Sequence, residues 1–236
     1  MKLRSKKPKL AVAGRGEDAQ RLAEALGCHR NVDAEIVIRY GNRHQCRGDF
    51  EINPVPALER ARHKYQSLEI FDQKGLPVPY FGIDRESMEP YYTLLGRKFT
   101  HQGGTDIKVL RSPRDYHGES QYFVQFLPVD TEYRCHIVCG EVISLAEKCD
   151  GEKKDCYCRN LKHGWIFKER KPERVHSDVI PLSKKAVKAL GLHFGAVDVI
   201  ISKGEAYLLE VNTAPGIIER RAILYANAIN EYLGSL

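Results

Sequence analysis

The segment FGAVDVIISKGEAYLLEVNTAPG, residues 194–216, constrains this chain more than any other. It holds two apolar runs, Phe194–Ser202 and Glu205–Asn212, on either side of Lys203-Gly204, the pattern of two antiparallel strands. Glu210 and Asn212 are two residues apart and share one face, while Leu209 and Val211 point to the other, toward a core. Asp198 lies between Val197 and Val199, where packing alone gives no reason for a carboxylate. A three-residue loop ending in a left-handed Gly204 would set Asp198 on the face of Glu210. Two carboxylates and an amide oxygen would then converge, a hard-oxygen set suited to Mg²⁺ held between carboxylates and phosphate oxygens. Incidental acids on an edge hairpin are the alternative, and it leaves the interruption of strongly apolar strands without a reason.

Around this segment the chain falls into three blocks, consistent with 236 residues as one large domain or two to three small subdomains. In residues 1–75, Leu10–Ala13 and Glu35–Arg39 read as strands. Glu17–Leu26 reads as a helix with Ala19, Leu22, Ala23 and Leu26 on one face, and Pro56–Lys74 as a helix closed by Gly75. Strand, helix, strand, helix suggests a small parallel α/β unit. Residues 76–127 open on GLPVPYFG, too rich in proline for a helix. Strands follow at Tyr91–Leu95, Asp106–Leu110 and Gln121–Leu127, with a loop GRKFTHQGG between the first two. In residues 128–236, Glu132–Cys139 and Glu141–Glu147 alternate around Gly140 as a hairpin. After them come a long polar loop, CDGEKKDCYCRNLKHG, a helix over Pro181–Leu190, the two strands already described and a closing amphipathic helix over Ile218–Leu233.

Composition narrows the class. A hydrophobic fraction of 42% argues for a packed core over disorder. No run of 18 apolar residues suggests a membrane span. The leading MKLRSKKPKLAVAG lacks a signal-peptide core, so a cytoplasmic protein without a membrane partner is expected. The net charge of +6 sits partly in Lys2, Arg4, Lys6, Lys7 and Lys9. A basic tail can bind nucleic acid, but a solvated terminus accounts for it, and a positive balance suits a protein that holds a triphosphate. Of the seven cysteines, Cys135 and Cys139 read as core thiols. Cys149, Cys156 and Cys158 cluster near His163, but CxC without a second CxxC is a weak zinc signal.

FGAVDV followed by LLEVNTAPG resembles the signature of the ATP-grasp superfamily, nearest the carboxylate–amine ligase branch that includes D-alanine–D-alanine ligase and the glutamate-adding ligases. The resemblance implies an ATP-grasp fold of α+β and α/β character. A small N-terminal α/β subdomain (1–75), a lid subdomain (76–127) and a C-terminal antiparallel-sheet subdomain with the metal site (128–236) would grip ATP. It implies that Asp198, Glu210 and Asn212 hold one or two Mg²⁺ ions, with Mn²⁺ able to substitute. Further parts of the family pattern come in order. Gln125, Phe126 and Leu127 in VQFLP match the adenine-binding hinge, and Glu132, seven residues after Gln125, matches the acid on the ribose hydroxyls. Arg134, on the same strand face, matches a basic residue near the phosphates. Lys64 and Lys98 match the lysines before and within the lid. HQGG, with Gly103 and Gly104, matches the glycine-rich loop whose N–H groups can cradle phosphate.

Three positions remain open. Lys148 matches a residue against the triphosphate, or is a solvated strand-end lysine. In RNLKHG, Asn160 and Gly164 fit the Arg-x-Asn pattern of the glutamate-adding branch, but Cys158 stands where the arginine belongs. Either Arg159 substitutes from the next position or the acyl substrate is held differently. Pro215 and Gly216 form a turn that other residues could not adopt, before a helix N-terminus; it binds a substrate carboxylate or acyl phosphate, or it is a plain connector. The resemblance, which runs from about Asn53 to the end, implies an ADP-forming ligase that joins a carboxylate to an amine through an acyl phosphate, with Arg134, Arg159 and Asn160 in catalysis. Its partners would be small-molecule or peptide carboxylates and amines, with a homodimer among the oligomeric states left open. A small-molecule kinase on the same fold, or a nucleic-acid-binding module, is the alternative; the latter leaves the buried acids unexplained.

Overall fold

In the computed structural model, which describes residues 8–43, 46–88, 93–100, 106–116, 118–150 and 157–236, three sheets follow one another along the chain. The first is parallel, with β1 (Leu10–Gly14), β2 (His29–Arg30), β3 (Ile36–Tyr40) and β4 (Phe50–Ile52) in the order β2-β1-β3-β4. Helix α1 (Gly16–Leu26) turns Ala19, Leu22 and Ala23 inward and ends at Gly27, whose left-handed φ of 64° accommodates the C-terminal turn.

The helix expected over Pro56–Lys74 is two helices, α2 (Val55–Arg62) and α3 (Lys64–Gln73). The chain breaks at His63, which is extended (φ −79°, ψ 93°) and whose Nδ1 accepts the Gln66 N–H at 3.2 Å to cap α3. Lys64 N–H donates to the carbonyl of Phe99 at 2.8 Å, so the break is held by the lid. Both helices pack against the third sheet, not the first: Leu58, Ala61 and Phe71 share a core with Cys135, Val197 and Leu208. The unit built on the first sheet therefore ends near Asn53, short of residue 75.

The second sheet is antiparallel, with β5 (Phe81–Gly82), β6 (Leu94–Arg97), β7 (Lys108–Leu110) and β8 (Tyr122–Gln125) in the order β5-β8-β6-β7. The third, also antiparallel, runs β11-β10-β9-β12-β13 and comprises β9 (Thr131–Val138), β10 (Glu141–Cys149), β11 (Ile166–Glu169), β12 (Phe194–Ser202) and β13 (Glu205–Asn212). Cys139 and Gly140, both left-handed, make the two-residue turn between β9 and β10. Tyr133, Cys135 and Ile137 point from β9 into the core shared with α2, α3 and α4 (Val179–Ala189). Glu132, Arg134 and His136 alternate to the opposite face. There α5 (Glu219–Gly234) joins the two ends of the chain: Tyr225 and Ile229 pack with Val12, Leu22 and Ile38 of the first unit. Asn53, fully buried, rivets that unit to β12. It accepts the N–H groups of His193 and Phe194 at 2.7 and 3.0 Å and donates to the Phe194 carbonyl at 3.0 Å.

Candidate active site

Ser202 pairs with Glu205, so the loop between β12 and β13 has two residues, Lys203 and Gly204, both left-handed at φ 51° and 81°. This corrects the expected three-residue loop; Gly204 is left-handed as expected, but the turn is of the primed hairpin type. An unbroken ladder from that turn would set Asp198 opposite Leu209. Instead the register shifts: Val199 pairs with Leu208 and Asp198 with Glu210, leaving Leu209 as the extra residue of a β-bulge. Asp198, Glu210 and Asn212 thus share a face because of the bulge. Leu208 takes the core position, and Leu209, expected in the core, lines the cavity above the sheet.

Asp198 lies opposite Arg134 of β9, and Glu132 opposite Lys148 of β10. Arg134 grips Asp198 with two parallel bonds, Nε to Oδ1 and Nη2 to Oδ2, each 2.7 Å. Lys148 Nζ lies 3.0 Å from Asp198 Oδ2 and also pairs with the Glu132 carboxylate. Lys148 is only 6% exposed, which removes the solvated strand-end reading. Arg159 Nε is 3.8 Å from Glu132 Oε2, and its guanidinium lies 4.5 Å from the Trp165 ring centre. At the other end Lys64, the first residue of α3, reaches Glu210 Oε2 at 3.3 Å, and Asn212 Nδ2 donates to Glu210 Oε1 at 3.0 Å. Phe167 of β11 lies 5.1 Å below Arg134 and 5.7 Å from Lys148, a cation–π contact for both.

Burial alone would raise the Asp198 carboxyl, but Arg134 and Lys148 outweigh it and hold it below the usual carboxylate range. Burial likewise opposes Glu210, and Lys64 with the Asn212 hydrogen bond holds it well below that range. Glu132 goes the other way: burial raises it, with Lys148 opposing and Asp198 adding. Two ionised carboxylates and an amide on one face are therefore a hard donor set that fits Mg²⁺.

All of these groups but Lys64 and Trp165 line a cavity of about 480 Å³, within the range of small-molecule sites; Lys64 lies off the lining and reaches it only through Glu210. The same lining holds apolar side chains, among them Val124, Ile200 and Leu209, together with Gln125, Phe126 and Leu127. The Gln125 and Phe126 N–H groups donate to the carbonyls of Tyr80 and Thr93, each at 2.7 Å, so these two donors hold the lid backbone and not a ligand. Asn160 lines the cavity while its Oδ1 accepts the His163 N–H at 3.1 Å and its Nδ2 donates to Cys158 Sγ at 3.1 Å.

Several expected residues lie elsewhere. Lys98 is exposed and off the cavity, whereas Arg97 lines it, because β6 alternates and turns Leu95 and Arg97 to that side. Pro215 and Gly216 also lie off the lining. The Pro215 carbonyl accepts from the Tyr40 hydroxyl, and Ile217 N–H donates to Asp18 Oδ1 at 3.2 Å, so the turn seats the first unit. Gly216 has no left-handed φ, and a Cβ there would meet nothing within 4 Å, so the turn does not require glycine. Gly103, Gly104 and Cys156 lie outside the described residues; among the described residues no group of three His, Cys, Asp or Glu side chains is placed to hold a metal. Arg97 was discoverable from strand alternation; Phe167, on a short and mostly exposed strand, gave no signal.

No family model matches the chain. Its architecture is that of the ATP-grasp fold: it superposes on the ATP-grasp ligase PsnB, in complex with a minimal precursor, with a TM-score of 0.70 over 96% of this chain and 99% of that one, at 13% identity. In sequence it is similar to the coenzyme gamma-F420-2:alpha-L-glutamate ligase of Methanococcus maripaludis, 23% identical over 72% of this chain. That alignment covers 64% of the relative, so this chain spans less than two thirds of its length. It is also similar to a probable alpha-L-glutamate ligase of Picosynechococcus, 25% identical over 99% of this chain and 82% of the relative.

Proposed function

We propose that the chain is an ADP-forming ligase that joins a carboxylate to an amine through an acyl phosphate. The observation that carries this reading is the row of paired charges, Lys64–Glu210 and Arg134–Asp198–Lys148, buried or half-buried at a cavity that apolar side chains and Gln125, Phe126 and Leu127 also line. An adenine suits the apolar side chains and a triphosphate the cations. In such a transfer a carboxylate oxygen attacks the γ-phosphorus and ADP leaves; the amine then attacks the acyl carbon, phosphate leaves, and the amine sheds its proton. The protein supplies no nucleophile, and catalysis is positioning and charge stabilisation. Arg134, Lys148, Lys64 and Arg97 would face the charge that builds on the transferring group. Asp198, Glu210 and Asn212 would hold Mg²⁺, which supplies charge neutralisation at the phosphates.

The substrates are small-molecule or peptide carboxylates and amines, in keeping with the names of the similar proteins, a glutamate ligase and a ligase bound to a precursor. Among the described residues no helix is long and apolar enough to cross a membrane, and six cysteines are free thiols. A cytoplasmic setting accords with the free thiols. The test is Glu210→Gln, nearly isosteric, assayed for ADP release against amino acids, peptides and small carboxylates with mass detection of products. The variant should melt normally and lose turnover, because a neutral amide holds Mg²⁺ poorly; retained turnover at ordinary Mg²⁺ overturns the reading.

A further inference from the structure

Tyr157 comes from the segment before β11, yet its contacts lie on the opposite wall of the cavity. Its ring packs against Phe126 of the hinge with centroids 5.0 Å apart. Its hydroxyl accepts from Nη2 of Arg111, beyond the end of β7 in the lid, at 2.8 Å, and the Arg111 guanidinium also lies 5.8 Å from the ring centre. Both Tyr157 and Phe126 line the cavity. One side chain therefore joins three parts of the chain at the cavity wall beside Phe126.

Both anchor points are themselves held. The Arg111 and Ser112 N–H groups both donate to Asp115 Oδ2, at 2.8 and 2.9 Å, which fixes the lid turn that carries Arg111. That double donation holds the Asp115 carboxyl below its usual range, so it stays an ionised acceptor. On the other side, the Asn160 carbonyl accepts the Trp165 N–H at 3.1 Å, and the Asn160 side chain caps the turn Leu161–His163. The segment after Tyr157 is thus pinned by its own turn. Opening the cavity at this wall requires Tyr157 to leave Arg111, Phe126 or both.

Resting on the nucleotide reading above, we propose that Tyr157 is a positioning residue that latches the lid to the hinge and sets the rate at which nucleotide leaves the cavity. Its assigned role is to hold the lid, not to take part in the phosphoryl chemistry. One exposed hydrogen bond and one aromatic pair are each worth about threefold in rate.

The test is stopped-flow release of a fluorescent ADP analogue, chased with excess unlabelled ADP in the presence of Mg²⁺. Tyr157→Phe keeps the ring and should release about threefold faster; Tyr157→Ala should release about tenfold faster. Arg111→Ala, which also removes the guanidinium from the ring, should release at least as fast as Tyr157→Phe, and the double variant Tyr157→Phe/Arg111→Ala should be no faster than Arg111→Ala alone, since the hydrogen bond is shared. Tyr157→Phe and Arg111→Ala are mild enough to fold, and melting curves check that they do. Release rates equal to wild type in both, or effects that multiply in the double variant, overturn the latch. A wild-type protein that does not bind the analogue at all overturns the nucleotide reading instead, which separates the two failures.

Discussion

His136 offers a test in which the structure predicts both sign and size. It follows Arg134 by two residues on β9, on the same face, and is 3% exposed, with Nδ1 2.8 Å from the Tyr225 hydroxyl. Burial, aided by the positive charges of Arg221 and Arg134 and opposed by Asp198, pushes its pKa down to about 3, against about 6.5 for an unfolded histidine. Between those two values the unfolded chain binds a proton that the folded chain refuses. Stability from this group is therefore complete above about pH 6.5 and declines as pH falls toward 3. From pH 7 to pH 5 the loss should be about 2 kcal/mol, one and a half pH units at roughly 1.4 kcal/mol each. His136→Gln keeps a hydrogen-bonding partner for Tyr225 but cannot titrate. Urea unfolding of both proteins at pH 7 and pH 5 isolates the term, because groups common to both, including His193, whose burial also lowers its pKa, cancel in the difference. The gap in stability between wild type and variant should shift in the variant's favour by about 2 kcal/mol on acidification. Parallel profiles, within roughly 0.5 kcal/mol, would show that His136 is not held neutral by the fold.

Two further outcomes follow from single contacts. Asn53→Ala removes three hydrogen bonds at a buried left-handed position (φ 58°) and should cost about 3–5 kcal/mol in urea unfolding, with Asn53→Gly recovering the backbone share; a loss under about 1 kcal/mol would mean the two units dock without it. Arg97→Met should weaken ATP binding about tenfold by titration calorimetry while Lys98→Met leaves it unchanged, and the reverse result would restore Lys98 to the site.

The legible parts of the chain were those whose sequence encodes burial on its own. β12 and β13 are long and apolar, and their ends fall where Lys203-Gly204 and Pro215 place them. β11 was not legible because only Phe167 among its four residues turns away from solvent, so it exists by pairing with β10. The break at His63 carries neither glycine nor proline; it follows from contacts with the lid, which the local sequence does not encode. The bulge at Leu209 was hidden because Leu208 and Leu209 are the same residue, and parity alone cannot say which one enters the core. For the site, alternation placed Glu132 and Arg134 on one face correctly. Carrying a lysine over from the family pattern misplaced Lys98, where alternation along β6 selects Arg97.

The charges also explain why so costly an arrangement belongs at the cavity. Lys64, Arg97, Arg134, Lys148 and Arg159 stand against Glu132, Asp198 and Glu210, with Asp106 3.9 Å from Arg97, so cations outnumber acids by one. Buried ion pairs of this kind add little to stability beyond what apolar residues of the same size would give. A fold selected for stability alone would not gather four cations in the lining of one cavity with a fifth, Lys64, just off it, where their mutual repulsion is weakly screened. The excess is relieved only by an anion, so anion binding and fold stability are linked. The acids offset the repulsion among the cations, and Arg134 keeps Asp198 ionised and turned toward the face it shares with Glu210. The same contacts that hold these groups together therefore orient what a bound polyphosphate would meet.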